Sequence, residues 1–96
     1  MSRYSVGADF ERTVRRTLES EGYLVIRSAG SKSPVDLVCF RAGEVIFVQC
    51  KTNGVMGKVE REQLKELARD NNCQARLYSK QGRKIVWENL QSKEVK

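Results

Sequence analysis

The chain has 96 residues, which gives room for one domain spanning residues 1–96 and not for two. Its 40% hydrophobic and 31% charged residues fit an ordinary soluble globular domain, and no apolar run approaches the roughly 18 residues of a membrane span. With 18 Lys plus Arg against 12 Asp plus Glu, the net charge of +6 favours a polyanionic partner, nucleic acid before an anionic membrane surface.

Residues 1–5 read as polar and loose. From Val6 to Ser20 the apolar residues Val6, Phe10, Val14 and Leu18 recur at helical spacing. Ser5 is the expected N-cap, and Glu21-Gly22 the stop. Arg12, Arg15, Arg16 and Glu19 occupy the opposite face. Glu11 flanks the apolar stripe, so it either pairs with Arg15 one turn on or reaches inward at a sheet end.

Tyr23–Arg27 reads as a first strand. The small-residue loop Ser28–Pro34 is either a flexible connector or a place where backbone approaches a phosphate, with Ser31 and Lys32 adding a hydroxyl and a charge. Then come two apolar, β-branched-rich runs from Val35 to Lys51, joined by Arg41-Ala42-Gly43-Glu44, which predicts a β-hairpin. Side chains alternate along a strand, so Val45, Phe47, Gln49 and Lys51 share one face and Ile46, Val48 and Cys50 the other. In an antiparallel pair the start of one strand lies beside the end of the next, which brings Asp36, Gln49 and Lys51 together. The carboxylate and the amide oxygen are hard donors suited to a divalent cation such as Mg²⁺. A lysine beside them makes sense where a phosphate also arrives. Glu44, in the turn, belongs at the far end and is expected to be solvent-exposed and no substitute ligand.

Thr52–Gly57 reads as a mobile glycine-bearing loop. A second helix is predicted from Lys58 or Val59 to Asp70, with Leu64, Leu67 and Ala68 inward and Arg61, Glu62, Lys65 and Glu66 outward. Strands follow at Ala75–Ser79 and Lys84–Glu88. Trp87 reads as a core or interface anchor, and the tail from Gln91 as frayed. The order α-β-β-β-α-β-β predicts an α/β sandwich, a mixed central sheet of about five strands flanked by two helices, with the second and third strands central. Three cysteines without CxxC spacing, and no histidine, argue against a structural zinc site. Cys39 and Cys50 read as small buried hydrophobes. The thiols suit a reducing cytoplasmic setting, and the opening residues do not read as a signal peptide.

Pro34-Val35-Asp36 followed by Gln49-Cys50-Lys51 resembles the PD-(D/E)xK nuclease superfamily, with Gln in place of the usual acidic residue as in its Mrr-type members. The chain from Val6 through Trp87 is further similar to archaeal-type Holliday-junction resolvases. The residues that carry this are Gly7 and Glu11 on the first helix; Arg27 before Gly30-Ser31-Lys32; Gln49 and Lys51 thirteen and fifteen residues after Asp36; and Gly57-Lys58 leading to Arg61-Glu62-Gln63. The sequence departs from that pattern at Gln49, where a Glu is expected, and in a shorter loop before Asp36.

The resemblance implies a restriction-endonuclease-like three-layer core and a Mg²⁺-dependent endonuclease, with Mn²⁺ able to substitute, acting on branched DNA as a homodimer by paired nicks. It implies metal contacts from Asp36, Gln49, the Cys50 carbonyl and Glu11. It implies a catalytic Lys51 and Ser31, and DNA contacts from Arg12, Arg15, Arg16, Arg27, Ser31, Lys32, Lys58 and Arg61. Two other readings stand beside it: an Mrr-like or repair endonuclease on duplex, nicked or flapped DNA, and a junction-binding protein that has lost cleavage.

Overall fold

In the computed structural model, residues 3–28 and 33–91 are described, with side chains from Gly7 onward. Ser31, Lys32, the Val6 side chain and the tail beyond Gln91 lie outside the described residues. Helix α1 spans Arg3–Ser20, strands β1 Leu24–Arg27, β2 Leu37–Arg41 and β3 Glu44–Cys50, helix α2 Lys58–Asp70, and strands β4 Gln74–Gln81 and β5 Lys84–Asn89. The element order is the one the sequence pattern predicts. Helix α1 begins earlier than expected, so Arg3, Tyr4 and Ser5 are helical and Ser5 is not the N-cap.

The five strands lie in chain order, β1-β2-β3-β4-β5. Every neighbouring pair is antiparallel except β3 and β4, which run parallel because α2 carries the chain back between them. The turn between β2 and β3 is tight: Arg41 pairs with Glu44 across Ala42 (φ 45°) and Gly43 (φ 83°). Positive φ at both central residues is the turn geometry that matches the strand twist.

The sheet separates two apolar cores. On one face Phe10, Val14 and Leu18 of α1 pack against Val25, Leu37, Cys39, Ile46, Val48 and Tyr78. On the other, Leu64 and Ala68 of α2 pack with Val35, Met56, Ala75, Leu77 and Leu90. Val14, Leu18, Ile46, Val48 and Leu64 are fully buried, each contributing about 1.5–3 kcal/mol by leaving water. The period-2 alternation of β3 is what sends Ile46 and Val48 to one core and Phe47 to the other.

Two expectations need correction, and of the two roles read for Trp87 only the core one falls away: it is 48% exposed, with the Arg76 guanidinium 3.8 Å from its ring centre, an exposure compatible with an interface anchor. Glu44 is half-buried, accepting hydrogen bonds from the Tyr23 hydroxyl and from Arg41, both at 3.3 Å, although it does sit at the turn. The loop after β3 is anchored by the buried Met56 and by the Lys80 N–H donating to the Thr52 carbonyl at 3.1 Å. Among the described residues no helix is long and apolar enough to cross a membrane.

Candidate active site

The C-terminal end of β3 and the N-terminal end of β2 lie side by side in the sheet. Just before β2, the Asp36 N–H donates to the Val48 carbonyl at 2.8 Å, extending the ladder one step beyond Leu37. Its carboxylate takes over where the ladder stops: Oδ2 accepts the Cys50 N–H at 2.8 Å. A strand residue turns its N–H and C=O to the same side, so the Cys50 carbonyl also faces the Asp36 side of β3.

Burial pushes the Asp36 carboxyl pKa up, the largest effect on it. The Cys50 N–H opposes this, Glu11 adds to it, Lys51 opposes it and Glu60 adds to it. The charges that Asp36 feels thus come from both helical layers. Glu11 belongs to α1 and Glu60 to α2.

Gln49 and Lys51 share a strand face, as alternation predicts, and both meet the same carboxylate. Gln49 Nε2 donates to Glu60 Oε2 at 3.3 Å, and Lys51 Nζ lies 3.5 Å from Glu60 Oε1. Gln49 is only 5% exposed. Its Oε1 is buried with no hydrogen-bond partner among the described residues. An unmet buried acceptor of this kind costs about 1–3 kcal/mol. Flipping the amide would not relieve it, because an oxygen would then face the Glu60 carboxylate.

Glu11 is held from the other side. Arg27 Nε donates to Glu11 Oε1 at 2.6 Å, so the partner is not Arg15, which pairs with Glu19 at 3.3 Å. A cleft of about 290 Å³ opens beside this pair, lined by Ala8, Glu11, Arg12, Arg15, Arg27 and Leu37. Three of those six residues are arginines. Arg12 also pairs with Asp9 at 2.8 Å. Arg16 and Lys58 are exposed, and Arg61 pairs with Glu88 at 3.1 Å.

Asp36, Gln49, Cys50 and Lys51 are therefore brought together as expected, and Glu11 reaches the field of Asp36. The basic residues divide: Arg12, Arg15 and Arg27 gather at the cleft, while Lys58 and Arg61 belong to α2. Glu60 is the site residue that the sequence reading missed. Its signal was its place in the first turn of an amphipathic helix that follows the Gln49–Lys51 strand end across one short loop.

The donor set fits a hard divalent cation on one observation above all, the unpartnered buried oxygen of Gln49, one residue before the Cys50 N–H that the Asp36 carboxylate accepts. It is not a ready-made carboxylate cage. Among the described residues no group of three or more His, Cys, Asp or Glu side chains is close enough to hold a metal ion. Position 49 carries an amide, and Glu11 and Glu60 are each turned to a cation of the protein itself.

Comparisons with known proteins give the family. The profile of the archaeal Holliday junction resolvase (Hjc) family matches residues 2–95. The chain is 55% identical over 51 residues to the crossover junction endodeoxyribonuclease Hjc of Methanocaldococcus jannaschii. That stretch covers 53% of this chain and 38% of the relative's length. The 1.6 Å resolution structure of Archaeoglobus fulgidus Hjc, a Holliday junction resolvase, superposes with a TM-score of 0.76 at 27% identity. The superposition covers 88% of this chain and 73% of that one. The chain belongs to the archaeal Holliday junction resolvase family.

Proposed function

We propose that the protein is a metal-dependent endonuclease that nicks four-way DNA junctions by phosphodiester hydrolysis. The observation that carries this reading is the convergence of Asp36, Gln49 and Lys51 at one sheet end, beside a cleft lined by Arg12, Arg15 and Arg27. Asp36, the Gln49 oxygen and the Cys50 carbonyl would hold Mg²⁺, with Mn²⁺ as a substitute, and Glu11 would add its charge from α1. When bound, such a cation neutralises charge on a phosphoryl oxygen and makes water acidic enough to attack.

The chain's own residues supply the rest. Lys51 presents an ammonium beside Asp36, where it orients the attacking water and offsets charge that builds on the phosphate. The cleft arginines receive the DNA backbone. Arg27 fixes the carboxylate of Glu11 at the cleft wall. Ser31 and Lys32 are assigned to phosphate contacts from the sequence pattern, and Arg16, Lys58 and Arg61 to the wider backbone track.

A junction has two symmetric cutting points, which two copies of the chain related by a two-fold axis would match. Leu24, Ile26 and Phe40 share a sheet face that α2 leaves uncovered, and they are 63%, 50% and 38% exposed. That apolar face supports pairing with a second copy. The reducing setting suggested by the unpaired thiols supports an intracellular location.

The test is cleavage of a four-way junction in Mg²⁺ and in Mn²⁺, set against a linear duplex of the same sequence. Paired symmetric nicks in the junction, lost on Asp36→Ala or Lys51→Ala with binding retained, are the expected result. Equal cutting of the duplex would favour a general repair endonuclease. Gln49 favours one further reading, a junction binder without cleavage; tight, salt-sensitive binding with no nicks in either metal would establish it.

A further inference from the structure

Glu60 has no place in the strand motif that led to the site, yet it touches both of the motif's residues at the end of β3. Its two carboxylate oxygens are divided between them, Oε2 to the Gln49 amide and Oε1 to the Lys51 ammonium. It stands in the first turn of α2, where the helix dipole favours a negative charge. Leu64, one turn further on, fixes that end of the helix by its complete burial. The Gln49 side chain, held through its nitrogen, is left with an oxygen that nothing in the described protein satisfies. Because the amide can turn its nitrogen only one way toward a carboxylate, Glu60 decides where that oxygen points.

We propose that Glu60 is a positioning residue for the cation: it locks the Gln49 oxygen into the donor role and supplies, from α2, the negative charge that an amide at position 49 lacks. This rests on the divalent-cation part of the reading above. A carboxylate that accepts an N–H from a ligating group both orients the ligand and makes it a better donor, and loss of such a partner typically weakens metal binding. The same carboxylate keeps the Lys51 side chain at the site. In effect the acidic function expected at position 49 is split between two side chains: the oxygen donor on β3 and the charge on α2.

The test compares wild type, Glu60→Gln and the exchange variant Gln49→Glu/Glu60→Gln. The last keeps an amide facing a carboxylate while trading their positions. Mn²⁺ affinity is measured without DNA by calorimetry, melting temperature in EDTA, and junction nicking in parallel. Side chain 60 is about one-third exposed (34%), so Glu60→Gln is expected to fold and melt in EDTA as wild type does. It should bind Mn²⁺ roughly 10- to 100-fold more weakly, and the exchange variant should recover most of that loss. Unchanged Mn²⁺ affinity in Glu60→Gln overturns the proposal, as does a loss that the exchange variant fails to recover. If wild type binds Mn²⁺ with this pattern but never nicks a junction, the positioning role stands and the nuclease reading falls. If wild type nicks junctions and Glu60→Gln binds Mn²⁺ normally, the nuclease reading stands and the positioning role falls.

Discussion

Replacing Asp36 by Asn should make the metal-free protein more stable while abolishing the junction nicking proposed for it. Asparagine keeps a carbonyl oxygen to accept the Cys50 N–H, now at 2.8 Å from the carboxylate, so the ladder end need not open. What is lost is a charge that the surroundings disfavour. The Asp36 pKa is raised even with the Cys50 hydrogen bond and Lys51 acting in its favour, so burial and the negative fields of Glu11 and Glu60 outweigh them. A gain of about 0.5–1 kcal/mol is expected, the usual return for relieving functional strain. For a chain of this size that is roughly 2–8 °C in melting temperature.

The sign also fixes the pH dependence. A carboxyl with a raised folded-state pKa stabilises the fold below its unfolded value of 3.8, and that contribution is lost as pH rises through the folded value. The variant's advantage should therefore be full near neutrality and close as the solution is acidified. Thermal denaturation in EDTA across that range measures the gap, and junction nicking should fall roughly 1000-fold, about 4 kcal/mol of barrier. A variant that melts several degrees below wild type in EDTA at pH 7 would refute the reasoning, because Asp36 would then be a structural support and not a strained functional group.

Removing Arg12 and Arg15 together by alanine should lower the slope of log affinity against log salt by about 0.9 for each phosphate that is no longer neutralised, read by fluorescence anisotropy of a labelled junction. An unchanged slope would take the arginine cleft out of the DNA path. Leu64→Ala should cost about 2–5 kcal/mol in urea denaturation, because Leu64 is fully buried on the inner face of α2. Burial pushes the Cys39 thiol up to about 11 and the Cys50 thiol higher still, whereas Cys73 is only shallowly buried. A thiol reagent at pH 8 should therefore label Cys73 in the native protein and reach Cys39 and Cys50 only after unfolding. Early labelling of Cys39 would mean that the α1 face of the sheet opens readily. Ala42→Asn should stabilise by about 0.5–1 kcal/mol, because Ala42 holds a φ of 45° that Asn tolerates better, and an unchanged urea midpoint would count against that turn geometry.

The fold was legible because its determinants are local and periodic. Spacing placed both helices, alternation sorted β3 between two cores, and Ala42-Gly43 fixed the register that sets Asp36 beside the end of β3. Glu44 was misplaced for a different reason: besides Arg41 in the same turn it is held by the Tyr23 hydroxyl, 21 residues back in the chain, and the hairpin sequence does not contain that partner. Glu11 shows the same limit: its same-face cation one turn along the helix is Arg15, but its bond goes to Arg27 on β1.

Glu60 is the instructive omission. A motif reading looks for chemistry along one strand, and on β3 it finds an amide where a carboxylate is expected. In three dimensions the strand end is a meeting point of layers. The sheet contributes Asp36, Gln49 and Lys51, α1 contributes Glu11 with its arginine cleft, and α2 contributes Glu60. A charge missing from one layer can then be restored from another without moving the backbone, provided the helix that carries it is firmly seated. The burial of Leu64 and Ala68 provides that seating. Packing of the second core and electrostatics of the site are thereby coupled. Leu64→Ala should loosen the Glu60 contact with Gln49 and Lys51 before it unfolds the sheet. Weakened Mn²⁺ binding at temperatures where Leu64→Ala is still folded would reveal that coupling, and wild-type binding there would show that α2 holds Glu60 in place without it.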